Sequence, residues 1–120
     1  MQTPEIVVIG AGPAGAMSAC LLARAGVRVL LSDRAAFPRP KLCGGCLAQS
    51  GYDLLRTHQL HTLAALADAR VVDRLRVHSA SRVLELRVPA YRVIDRSRFD
   101  HDLVHAAIDA GARFCPGTQA

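Results

Sequence analysis

Apolar and polar positions follow three different rhythms along this chain, and each rhythm predicts a different kind of element. Ile6-Val7-Val8-Ile9 is an unbroken, largely β-branched run, which suits a short strand buried on both faces. The alanine- and leucine-rich stretch that follows has helical periodicity, and Gly26 is a natural stop for it. A second apolar run covers residues 27–31. Leucines and alanines recur at helical spacing over residues 54–69, which predicts one or two short helices. Residues 70–88 alternate instead. Val71, Leu75, Val77, Val83, Leu84, Leu86 and Val88 are interleaved with Arg, Asp and Ser, which predicts two antiparallel strands around His78-Ser79-Ala80-Ser81. After Pro89, residues 91–95 read as another short extended piece. Residues 98–111 read as an amphipathic helix, with Phe99, Leu103, Val104, Ala107 and Ile108 on one face and Gly111 as its stop. One more strand begins at residues 112–115, close to the end of the chain, which predicts an incomplete domain.

Between the first two apolar runs lies Gly10-Ala11-Gly12-Pro13-Ala14-Gly15, and Asp33 follows the second run 18 residues after Gly15 (33 − 15). Strand, glycine turn, helix, strand and acid in this order form a βαβ dinucleotide-binding pattern. Each position has a physical role. Gly10 permits the tight turn, Gly12 lets the backbone approach a diphosphate, and Gly15 lets the helix lie on the sheet. Pro13 presets the helical φ at a position whose amide lacks a partner anyway. The unpaired first-turn amides and the helix dipole then favour an anion there. Ala19 and Ala23 keep the strand-facing side of the helix thin. Asp33 can accept both ribose hydroxyls, and its charge would repel a 2′-phosphate.

Composition narrows the picture further. At 120 residues and 51% hydrophobic content the chain has single-domain size and enough apolar material for a core, although with 4% aromatics that core must be aliphatic. The net charge is +5, carried by scattered arginines with Lys41 as the only lysine, and little aromatic residue is interleaved with them. That distribution argues against nucleic acid as a partner and fits arginines that hold phosphates or carboxylates. The apolar N-terminal stretch lacks a basic leader and carries Glu5, so it does not read as a secretory signal. No apolar run reaches spanning length without an arginine, so no transmembrane segment is expected. Four cysteines in no framework pattern predict free thiols in a reducing, cytoplasmic setting.

Residues 34–51 form a long connection rich in Pro, Gly and Arg, and connections of that length in a compact domain are usually functional. Here the chain resembles the N-terminal part of FAD-dependent oxidoreductases of the p-hydroxybenzoate-hydroxylase-like superfamily, and within it the geranylgeranyl reductase family. The matching segments are Val8 to Gly15, Leu31-Ser32-Asp33-Arg34, Pro38-Arg39-Pro40-Lys41-Leu42-Cys43-Gly44-Gly45, and Val93 to Asp100. The Lys-x-Cys-Gly-Gly element and the Arg-x-x-Phe-Asp-x-x-Leu element narrow the choice most. The resemblance implies an α/β fold with a Rossmann-like FAD-binding unit at 1–34, a flavin loop at 35–51, an antiparallel strand insertion from a substrate domain at 70–95, and a helix with a returning strand at 96–117. It implies that Gly10, Gly12, Pro13, Ala14 and Gly15 line the FAD diphosphate, that Asp33 holds the adenosine ribose and that Arg34 lies beside the adenine. Lys41 belongs to the flavin loop, Cys43, Gly44 and Gly45 would run along the isoalloxazine, and Arg96 would contact the flavin. The implied reductant is NAD(P)H, and the implied substrate is a small, apolar molecule, either saturated by hydride or hydroxylated with oxygen. Cys46 departs from the family, which commonly has a third glycine there, and the later Gly-Asp segment falls outside this sequence.

Other readings stay open at this stage. Cys43-Gly44-Gly45-Cys46 is a CxxC that could act as a dithiol pair, line the flavin, or simply turn the chain. His101 and His105 have metal-compatible i, i+4 spacing but no third ligand, so they read as surface residues, as do His58 and His61. Asp100 reads as a first-turn acid that caps or pairs. No residue is required to be a catalytic acid or base. A NAD-binding dehydrogenase and a truncated, non-catalytic piece are the competing classes.

Overall fold

The computed structural model describes residues 3–118. Three parallel strands form the first sheet: β1 (Ile6–Ile9), β2 (Val29–Asp33) and β6 (Arg113–Pro116), in the order β1-β2-β6. Ile6 lies opposite Val29, and Leu30 lies opposite Arg113, so β2 is paired on both edges. Its Val29, Leu31, Ser32 and Asp33 are buried, as a central parallel strand requires. Asp33 closes β2 instead of following it, because β6 extends the pairing as far as Pro116.

Two helices cover this sheet. α1 (Pro13–Arg24) runs from the glycine turn, and α4 (Arg96–Asp109) connects the second sheet back to β6. The small side of α1 is the one buried, with Ala16, Ala19 and Cys20 inaccessible, and Ala23 packs at the margin. Phe99, Leu103, Val104 and Ala107 of α4 complete this core, as the helical spacing predicts. Ile108 does not join them. It is 39% exposed at the edge of the face. α4 also starts earlier than the apolar period suggests, at Arg96, because Asp95 caps it by accepting the Ser97 N–H at 2.8 Å.

The connection after β2 is shorter than predicted. It ends at residue 45, where β3 (Cys46–Ala48) begins and runs directly into α2 (Gln49–Thr57), followed by the single-turn α3 (Ala64–Ala67). β3 pairs with β5 (Arg82–Val93), which in turn pairs with β4 (Arg70–Ser79), giving an antiparallel sheet in the order β3-β5-β4. The extended piece expected after Pro89 is therefore the end of one continuous strand. Proline survives inside β5 because the register shifts there: Val72 pairs with Tyr91 and Arg74 with Arg87, so residues 88–90 face Asp73 alone. A residue without an N–H costs no ladder bond in such a bulge. The tip of the hairpin is Ala80-Ser81, shorter than the four-residue turn expected.

The β4–β5 ribbon projects away from the rest of the chain. Val71, Leu75, Val77, Val83, Leu84 and Leu86 are all 42–60% exposed, so its alternation buries neither face. The ribbon gives the molecule extents of 64 × 28 × 20 Å and a radius of gyration of 17.0 Å. A compact chain of this length would have about 14 Å. No helix among the described residues is long and apolar enough to cross a membrane.

Candidate functional site

The first turn of α1 is shaped by the contact between Gly15 and Gly10. Gly10 adopts φ +97°, and a methyl group at residue 15 would overlap the Gly10 carbonyl oxygen. Gly12 is different. Its φ of −68° suits any residue, and the nearest heavy atom to an added Cβ is Arg39 Nη2 at 3.9 Å. Gly12 as N-cap offers no side-chain cap, and the first turn of α1 contains no acid. Pro13, Ala14 and Gly15 thus leave a helix end that nothing in their own side chains neutralises. α4, by contrast, is capped by Asp95.

Asp33 braces this turn from β2. Its Oδ2 accepts the Ala11 N–H at 2.7 Å and its Oδ1 accepts the Ala35 N–H at 2.9 Å. Burial alone would raise the carboxyl pKa, but the two N–H donors, with Arg39 and Arg34 close by, more than reverse that and hold it below the ordinary carboxylate range. Each carboxylate oxygen keeps a second lone pair for a ligand hydroxyl. Arg34, next in the chain, is exposed and lines a cleft of about 360 Å³ together with Asp33, Ala35, Arg39, Pro40 and Lys41.

Pro40 and Lys41 also line a second cleft of about 270 Å³, with Cys43, Gly45, Ile94, Asp95, Arg96 and Ser97. The loop between the clefts is pinned at three places. Phe37 packs edge-on against Phe114 of β6, with centroids 5.5 Å apart. Arg39 reaches back to Asp100 and Asp33. Gly45, at φ +69°, accepts the Ile94 N–H at 2.8 Å, and a Cβ there would crowd the Ile94 carbonyl. Gly44 has open space where a Cβ would be, so the backbone face of this loop is bare. Cys43 is exposed, and its Sγ accepts the Gly45 N–H at 3.4 Å. That N–H first, then the Arg96 guanidinium, lowers the Cys43 thiol pKa.

Arg96 forms a two-pronged pair with Asp100, Nε to Oδ1 at 2.9 Å and Nη2 to Oδ2 at 3.1 Å. Asp100 is completely buried and also accepts from Arg39 Nη1 at 3.2 Å. A chain of ion pairs therefore runs from Asp33 through Arg39 and Asp100 to Arg96, whose guanidinium lies beside the Cys43 thiol. The structure gathers the glycine turn, Asp33, Arg34 and Lys41 at one end of this chain, and Cys43, Gly44, Gly45 and Arg96 at the other. Two of its members, Arg39 and Asp100, carry no site signature in the sequence, because no local motif links residues 61 apart. Their type was the only available signal: an arginine within a Pro-rich connection and an acid on the apolar side of a helix. His101 and His105 lie ring to ring, 4.4 Å between centroids. Among the described residues no group of three or more His, Cys, Asp or Glu is placed to hold a metal ion.

Residues 3–120 match the family model described as FAD binding domain. The chain is 36% identical over 125 residues to a menaquinone reductase of Mycobacterium tuberculosis, a match covering 99% of this chain and 30% of the relative. It is 34% identical over 119 residues to the geranylgeranyl diphosphate reductase of Rhodobacter capsulatus, covering 95% of this chain and 28% of that protein. The crystal structure of a geranylgeranyl bacteriochlorophyll reductase-like protein from Thermoplasma acidophilum superposes with a TM-score of 0.77 at 24% identity, over 98% of this chain and 30% of that one. This chain spans about 30% of the length of the curated relatives it matches. By fold and by sequence over nearly all of its length, the chain belongs to the FAD-binding domain family.

Proposed function

We propose that this chain supplies the ADP-binding part of the FAD site in a flavin-dependent oxidoreductase of the geranylgeranyl reductase kind. The observation that carries the reading is the uncapped start of α1, stacked on a glycine turn that Asp33 holds in place. Such a helix end binds diphosphate through its free amides and dipole. Gly10, Gly12, Pro13, Ala14 and Gly15 would face the diphosphate. Asp33 would take the ribose hydroxyls with its remaining lone pairs, and Arg34 would lie beside the adenine. The groove continues past Lys41 to Cys43, Gly44, Gly45 and Arg96, where bare backbone suits a flat ring.

Bound FAD would supply hydride chemistry, taking electrons from NAD(P)H and delivering them to a small, apolar acceptor. The names of both relatives favour reduction over oxygen chemistry. All four thiols are free, which supports a reducing, cytoplasmic setting.

Titration of the chain with FAD and with FMN, followed by flavin fluorescence, tests the reading. A site that reads the ADP half binds FAD and leaves FMN in solution, and ADP competes for it. Equal affinity for the two flavins, or no saturable binding of either, contradicts it.

A further inference from the structure

Arg39 belongs to neither half of the groove as read from sequence, yet it occupies the point where the two meet. Its side chain is only 14% exposed. The guanidinium lies over the Phe37 ring, 4.5 Å from its centroid, and Phe37 is itself fixed on Phe114. Nη1 is anchored by the buried Asp100 carboxylate at 3.2 Å. Nη2 is treated differently: its nearest carboxylate oxygen, Asp33 Oδ2, is 3.9 Å away, beyond hydrogen-bond reach, and it faces the Gly12 turn. One end of the fork is therefore anchored, while the other end is oriented with no hydrogen-bond acceptor among the described residues.

We propose that Arg39 is the diphosphate-binding cation of this site, with Asp100 as the residue that positions it; this rests on the FAD reading above. A guanidinium held by an aromatic plate and a buried acid has already lost its rotamer freedom, so little ordering remains when a phosphate oxygen takes the free prong. The sign of the charge agrees. Arg34, Arg39, Lys41 and Arg96 outnumber Asp33, Asp95 and Asp100 along the groove, so an excess of positive charge faces an anionic ligand. Asp33 serves the ribose side and Asp100 carries the arginine, so the two acids do not compete for one role.

Binding of ADP and of adenosine to the full chain, measured calorimetrically in the native protein, Arg39→Gln and Arg39→Lys, separates this role from its alternatives. Arg39→Gln is expected to weaken ADP at least tenfold and to leave adenosine within twofold, with Arg39→Lys in between because it keeps the charge and loses the fork. The native protein should also lose ADP affinity with added salt more steeply than Arg39→Gln does. Equal losses for ADP and adenosine would make Arg39 a brace for Asp33 only and overturn the proposal, as would an unchanged ADP affinity. If the native chain bound neither ligand, the FAD reading itself would fall, a result visible before any variant is compared.

Discussion

Gly15 sits directly beneath the carbonyl of Gly10, with no room between them for even a methyl group. The contact joins the end of β1 to the first turn of α1, and the obstructing atom is backbone, which cannot swing aside. In an ordinary helix interior, replacing glycine by alanine is favourable by about 1 kcal/mol. Here Gly15→Ala is expected to destabilise the fold by roughly 2–3 kcal/mol, because overpacking against a fixed group outweighs helix propensity. Urea denaturation checks the sign. A gain in stability would show that the turn is looser than described.

Asp100 is buried between two guanidiniums, and its removal strands both of them. Breaking a buried pair from one side typically costs 3–5 kcal/mol. Arg39 and Arg96 keep some solvent access, so Asp100→Ala should cost about 3 kcal/mol, and Asp100→Asn less because its amide oxygen still accepts one bond. Thermal or chemical unfolding of the two variants checks this ordering.

Stability should also respond to acid through Asp33. Its pKa is depressed in the folded chain, so its contribution is fully present above the unfolded value of about 3.9 and is lost as pH falls through the folded value. Asp33→Asn should therefore flatten the stability profile below about pH 4 relative to the native chain. Identical acid limbs for both proteins would mean that the carboxylate is not held as described.

Cys43 should be the reactive thiol of the pair Cys43 and Cys20. Cys43 is exposed and has a lowered pKa, whereas burial raises that of Cys20. Iodoacetamide mapping by mass spectrometry near neutral pH should find Cys43 modified first, and Arg96→Gln should slow that modification several-fold. A rate unaffected by Arg96→Gln would remove the guanidinium from the thiol's surroundings.

What the sequence makes legible is what is local. The βαβ unit is written in consecutive residues: a β-branched run, three glycines at fixed spacing, a thin helix and a closing acid. The amphipathic face of α4 is equally local, apart from Ile108, whose exposure depends on where the neighbouring elements end. β3 has only three residues and exists because β5 pairs with it, so nothing in Cys46-Leu47-Ala48 alone announces a strand. Pro89 breaks the alternation of β5 on paper, yet the bulge absorbs it in space. At the site, the glycines, Asp33 and the Cys43 loop carry their own signatures. The Arg39–Asp100 pair does not, because its meaning arises only when a loop after β2 meets a helix far along the chain.

The central claim is that a diphosphate rests on the backbone at Gly12, and Gly12→Ala tests it most directly. In the free chain the added methyl meets nothing closer than Arg39 Nη2 at 3.9 Å, so unfolding free energy should change by no more than about 1 kcal/mol, the usual scale for losing a glycine N-cap. FAD affinity of the same variant should fall at least tenfold, because the methyl stands where the phosphate must approach. A folded Gly12→Ala chain that binds FAD as tightly as the native one would place the ligand elsewhere.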